Sequence, residues 1–117
     1  MISTFIGLAL SLFGGNTIVY AQVEEPKVEL SIEEKIREEF KDAPIMVEVA
    51  RCESQFRNVQ SKTGDSGPLQ INQVHLPTLK KLGLDRENVD DNIAFARILY
   101  TESGLKPWEN SKHCWSK

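Results

Sequence analysis

No Lys, Arg, Asp or Glu occurs among the first twenty-one residues of this 117-residue chain, and the formal charge of −3 therefore lies entirely in the remaining residues. The basic residues of that part are interspersed with acids, so no basic face of the kind that nucleic acid requires is present. Cysteine is scarce, with Cys52 and Cys114 alone, and histidine is limited to His75 and His113. No Cys-x2-Cys or His-x3-His pair occurs, and the side chains of the adjacent His113 and Cys114 diverge, which speaks against zinc. A glycine-rich phosphate loop, a nucleophile elbow, heptads and internal repeats are all missing. Nothing calls for a metal or an organic cofactor.

The uncharged start holds an apolar run from Phe5 to Phe13, and Val19-Tyr20-Ala21 precedes Gln22 with a small residue where signal peptidase cuts. Residues 1–21 are expected to be a signal peptide, although no Lys or Arg opens it. The alternative is an uncleaved N-terminal membrane anchor, against which Gly14, Gly15 and Asn16 interrupt a span near the minimum of about 17 to 20 residues. No cysteine lies near the cleavage point, so lipid attachment there is not expected. Residues 22–30 carry Glu24, Glu25, Pro26, Lys27 and Glu29 without an apolar period and read as an exposed linker. Residues 31–117 then form one domain. A chain of about 90 residues buries only a small core and gains from a cross-link. In the oxidising compartment that export implies, Cys52 and Cys114 are expected to pair.

Helical signals dominate this domain. Ser31-Ile32-Glu33-Glu34 is a capping box, opening a helix to about Lys41. Asp42 is placed to cap a second helix with Pro44 in its first turn. In that helix Met46, Val49, Ala50 and Glu53 fall at i, i+3, i+4 and i+7, so a carboxylate ends the apolar stripe. A carboxyl there is partly desolvated, which raises its pKa and suits it to donate a proton near neutral pH. Beyond it, Ser66-Gly67-Pro68-Leu69-Gln70-Ile71-Asn72 begins with turn residues and ends in alternation, predicting a short extended or hairpin segment with the amides of Gln70 and Asn72 on one side. Residues 75–82 read as a short helix with Leu76, Leu79 and Leu82 inward and Gly83 ending it. His75 borders the groove without a catalytic part. Asp90 or Asp91 caps a last helix through about Ser103, closed by Gly104, with Asn92, Ile93, Ala96, Leu99 and Tyr100 on one face. Trp108 is assigned to the core rather than to a sugar ring.

Two of these runs, Cys52-Glu53-Ser54-Gln55-Phe56 and Gly64-Asp65-Ser66-Gly67-Pro68-Leu69-Gln70-Ile71-Asn72, together resemble the catalytic signature of lysozyme-like lytic transglycosylases. The likeness extends over residues 44–115 and includes the Trp and Cys ending, while the Ala-Tyr-Asn-Ala-Gly motif of many of these enzymes is missing. It implies a mainly α, lysozyme-like α+β fold, a small helical domain whose hairpin flanks an active-site groove. It further implies Glu53 as the catalytic acid and base, Asp65 as a possible second carboxylate, Ser54, Gln70 and Asn72 as substrate-binding residues, and Asn92 and Tyr100 either as substrate contacts or as supports directly behind them, with ordinary packing an equal alternative for Tyr100.

The resemblance implies cleavage of the β-1,4 bond between N-acetylmuramic acid and N-acetylglucosamine in peptidoglycan strands. A transglycosylase needs only one Glu and yields 1,6-anhydro ends, whereas a muramidase adds water with the help of a second carboxylate, here Asp65. A glycan-binding or assembly protein is a further alternative, for which a half-buried acid serves no purpose. The chain is expected to be exported, to the periplasm, cell surface or medium, and monomeric. Wall remodelling, service to a secretion machine and attack on a competitor fit the sequence equally.

Overall fold

The computed structural model describes the backbone of residues 5–11, 18–24 and 28–117, with side chains described from residue 28 onward. Phe5–Ser11 (β1) and Ile18–Glu24 (β2) pair antiparallel, Phe5 opposite Glu24 and Ser11 opposite Ile18. Residues 22–24, the start of the expected exposed linker, continue this strand. Ile18, Val19, Tyr20 and Val23 are β-prone, which favours pairing over an irregular path. The leader reading of residues 1–21 and the linker reading of 22–30 otherwise fall partly outside the described residues.

From residue 31 onward the chain is built of helices and the segments that join them. Ser31 caps Ile32–Glu39 (α1), accepting from the Glu34 N–H at 3.1 Å while the Glu34 carboxylate accepts from the Ser31 N–H at 3.1 Å, the expected capping box. Ile45–Ser54 (α2) starts without a side-chain cap. The carboxylate of Asp42, expected to cap it, instead accepts from Arg97 at 2.6 and 3.1 Å. Arg97 lies over the Phe40 ring, 4.5 Å from its centroid, so a cation with an aromatic and an acid beside it draws Asp42 away from the helix end.

Asp65–Ser66 (β3) and Ile71–Asn72 (β4) form the expected small hairpin, Asp65 opposite Asn72 and Ser66 opposite Ile71. A single 3₁₀ turn, Gln73–His75, leads into Leu76–Leu82 (α3), which Gly83 ends with φ +70°. Only Leu79 of α3 is buried; Leu76 and Leu82 are 47% and 50% exposed, because a seven-residue helix lying on the surface turns a single leucine inward. Asn88 caps Val89–Ser103 (α4) by accepting from the Asp91 N–H. The cap thus lies two residues before Asp90, the first of the two aspartates expected to supply it. The 3₁₀ segment Lys106–Ser111 and the single turn Lys112–Trp115 (α5) complete the chain.

The core is continuous through Ile36 and Phe40 of the α1 region, Met46, Val49 and Ala50 of α2, Leu69 and Ile71 of the hairpin, and Ile93, Phe95 and Ala96 of α4. Trp108 and Trp115 close it from the C-terminal side, which is the place expected for Trp108. Cys52 of α2 is disulfide-bonded to Cys114 of α5, fastening the last turn of α2 to the chain's end. Among the described residues no helix is long and apolar enough to cross a membrane.

Candidate active site

Because the Met46, Val49 and Ala50 stripe of α2 faces the core, Glu53 arrives at the last turn on the same side and stands half-buried at the edge of a cleft of about 430 Å³. That volume lies within the ordinary range of small-ligand sites, roughly 300 to 1,000 Å³. Burial raises the carboxyl above its usual range; the hydrogen bond from Ser111 opposes this, and the negative charge of Asp65 adds to it. The Ser111 hydroxyl donates to Glu53 Oε1 at 2.6 Å. Oε2 makes no hydrogen bond to the described residues, yet the buried side-chain polar atom without a partner among them is Ser66 Oγ, so Oε2 is open to solvent.

The opposite wall is the β3–β4 hairpin, which brings Asp65, Gln70 and Asn72 to the cleft. Asp65 is held tightly: Oδ1 accepts from Asn72 Nδ2 at 2.9 Å, and Oδ2 from Thr63 Oγ1 at 3.0 Å and Ser61 Oγ at 3.3 Å. The Asn72 side-chain oxygen is also taken, accepting from the Val74 N–H. Gln70 donates through Nε2 to the carbonyls of Val59 and Gly67, which leaves its Oε1 without a partner among the described residues. Gln70 sits at φ +50°, and Gln55 and Phe56, directly after the Glu53-Ser54 pair, sit at +55° and +59°. Backbone strain in non-glycine residues thus gathers on both sides of the cleft.

Ser54, Asn92 and Tyr100 do not line the cleft: Asn92 supports its wall from behind and Tyr100 packs against the core, the alternatives to direct substrate contact. Ser54 is buried, donating to the Pro68 carbonyl at 2.8 Å and accepting from the Arg57 N–H at 3.2 Å. Asn92 is fully buried: Oδ1 accepts from the Leu69 N–H, while Nδ2 donates to the carbonyls of Ser66 and Arg86 at 2.8 Å each. Trp108 Nε1 donates to the Leu69 carbonyl at 2.8 Å. Three elements distant in sequence therefore tie down the Gly67–Leu69 turn, and the polar groups of Ser54 and Asn92 are spent on its backbone rather than turned to the cleft. Gly67 is required there, since φ is +82° and a Cβ would lie 2.1 Å from Asn92 Nδ2. Tyr100 packs edge-on against Phe40 with centroids 6.1 Å apart, and it is Leu99 that α4 contributes to the cleft.

His75 lines the cleft and lies against Phe95 with centroids 5.4 Å apart. Thr63, Asn110 and Ser111 escape a reading of the sequence, because no spacing links them to Glu53; Ser111 is 58 residues away along the chain. The disulfide occupies both sulfurs, and among the described residues no group of three or more His, Cys, Asp or Glu side chains is gathered as a metal ion would need. The arrangement is thus one half-buried carboxyl with a free oxygen, facing a second carboxylate and amides across an open groove. No protein-family model, curated protein or solved structure matches the chain.

Proposed function

We propose that this protein is an exported, lysozyme-like lytic transglycosylase that cuts the β-1,4 bond between N-acetylmuramic acid and N-acetylglucosamine in peptidoglycan. The observation that carries the reading is Glu53, half-buried at the cleft with Oε1 held by Ser111 and Oε2 free. A carboxyl whose proton burial holds more tightly gives that proton to the glycosidic oxygen as the bond to C1 breaks. The carboxylate so formed then takes the proton of the sugar's own 6-hydroxyl, whose oxygen closes on C1 to make the 1,6-anhydro ring. Glu53 ends the cycle protonated again. The free Oε1 of Gln70 offers an acceptor for an N-acetyl N–H. The disulfide fits the oxidising compartment to which export would deliver the chain.

A muramidase using Glu53 and Asp65 is the second reading, favoured by the presence of both carboxylates at one cleft. The donors from Thr63, Ser61 and Asn72 already engage both Asp65 oxygens, which suits a fixed anion better than a base that must also hold water. A protein that only binds glycan gains nothing from a half-buried acid. Mass spectrometry of the soluble products from purified peptidoglycan separates the three: anhydro ends mark the transglycosylase, and reducing ends, heavier by one water, mark the hydrolase. Absence of release would leave the binding protein.

A further inference from the structure

The Ser111 hydroxyl sits where the catalytic carboxyl meets the C-terminal tryptophans. Its Oγ lies 2.6 Å from Glu53 Oε1, 3.1 Å from the Trp108 carbonyl and 3.1 Å from Trp115 Nε1. The Trp115 N–H is shared with that same Trp108 carbonyl at 3.2 Å. An indole nitrogen can only donate, so Trp115 supplies the hydroxyl oxygen with its hydrogen bond and leaves the Ser111 proton to go outward. The two acceptors within its reach are Glu53 Oε1 and the Trp108 carbonyl, and Oε1 is much the nearer.

Resting on the reading of Glu53 as the acid of the cleft, we propose that Ser111 is its positioning residue, a hydroxyl oriented by Trp115 that holds Oε1 and so leaves Oε2 to carry the exchangeable proton towards substrate. A carboxyl oxygen that accepts from a fixed O–H keeps the character of a carbonyl, and the proton resides on the other oxygen. The same bond strengthens as Glu53 loses its proton, because a hydrogen bond to a charged acceptor is about twice as strong as one to a neutral acceptor. Ser111 thus favours the developing carboxylate over the acid, which is help given to the transition state more than to the ground state. Its lowering effect on the Glu53 carboxyl, set against burial, has this origin. The position is fixed from two sides: Trp108 and Trp115 are both buried, and Cys114, three residues beyond Ser111, is bonded to Cys52 beside Glu53. The other titratable groups lining the cleft are Asp65 from β3 and His75 from the turn before α3.

The experiment compares the parent with Ser111→Ala, with Ser111→Thr as the variant that restores a hydroxyl. Carbon-13 NMR titration of the Glu53 carboxyl, which needs no turnover, is expected to show a higher midpoint in Ser111→Ala and one near that of the parent in Ser111→Thr. The pH profile of kcat/KM on purified peptidoglycan should move its alkaline limb upward in Ser111→Ala, and kcat should fall about 10- to 100-fold, the range for a hydrogen bond to a charged group. A Glu53 midpoint unchanged or lowered by Ser111→Ala, with the thermal melting point preserved, overturns the proposal. If Ser111→Ala melts early, the Ser111→Thr titration decides alone: a midpoint near the parent's supports the proposal, and one displaced upward despite normal melting overturns it. A parent that releases nothing from peptidoglycan defeats the functional reading on which the proposal rests, while the titration still reports whether Ser111 governs the Glu53 proton.

Discussion

The chemistry of the cleft turns on how Glu53 divides its proton between folded and unfolded chains. Burial raises its carboxyl in the fold, so the folded state binds the proton more tightly than the unfolded state does. At pH below the unfolded carboxyl range both states are protonated and Glu53 has no effect on stability. As pH rises through the raised folded value, the buried charge lowers stability, and the loss persists above it. Glu53→Gln removes this loss, and the Gln carbonyl can still accept from Ser111. The melting temperature of the variant should therefore gain on that of the parent as pH rises above about 4, the ordinary glutamate range. A constant difference would contradict the desolvated carboxyl. On the proposed mechanism, release of glycan by the same variant falls at least about 100-fold, as expected for loss of a general acid or base. Asp65 gives a contrast: Asp65→Asn should keep a substantial part of the activity and still yield anhydro ends. A loss equal to that of Glu53→Gln, with reducing-end products from the parent, would move the assignment to a hydrolase.

At the scale of elements, the hairpin matters more for how it is held than for what it exposes. Its turn gives two carbonyls and one N–H to Ser54, Trp108 and Asn92, and Arg86 Nη1 adds bonds to the carbonyls of Gly64 and Ile71 at 2.6 and 2.8 Å. Asn92→Leu keeps the volume but strands the Leu69 N–H and deprives the buried Ser66 carbonyl and the part-buried Arg86 carbonyl of a donor. At about 1 to 3 kcal/mol for each buried group left unpaired, stability should fall by roughly 3 kcal/mol or more. Urea unfolding measures it, and a loss below about 1 kcal/mol would mean that the turn finds other partners. Features decided by neighbours in the chain are legible in the sequence: the Ser31 and Glu34 box, the stop at Gly83, and the hairpin around Gly67. Asn92 is visible as a polar residue on an apolar face, but a sequence does not say whether such an amide meets substrate or the backbone of another element. Asp42 misleads for the same reason, since Arg97, 55 residues away, competes with the local helix end. Leu76 and Leu82 mislead because helical spacing does not reveal how little of a short helix the core can cover.

Across the whole molecule, the parts of the cleft come from opposite ends of the domain. The periodicity of α2 makes the inward face of Glu53 readable, whereas the approach of Ser111 depends on the C-terminal segment folding back over Trp108 and Trp115. The disulfide fixes that return, joining residues 62 apart in sequence. In the unfolded chain it closes a long loop, and its removal from a small domain typically costs about 2 to 5 kcal/mol. Replacing both Cys52 and Cys114 by Ser should lower the unfolding midpoint by a corresponding amount. The bridge also flanks the Glu53–Ser111 hydrogen bond on both strands of chain, so its loss should loosen that bond before the domain unfolds. Misplacement of a reacting group by about 1 Å can lower a rate about 100-fold, and on the proposed mechanism kcat should therefore fall more than KM rises. Intact-mass analysis checks the premise: the non-reduced chain, unfolded and exposed to an alkylating agent, should take up no label. Two labelled thiols under those conditions would remove the bridge, and a bridge-free variant with the parent's unfolding midpoint would remove its part in stability.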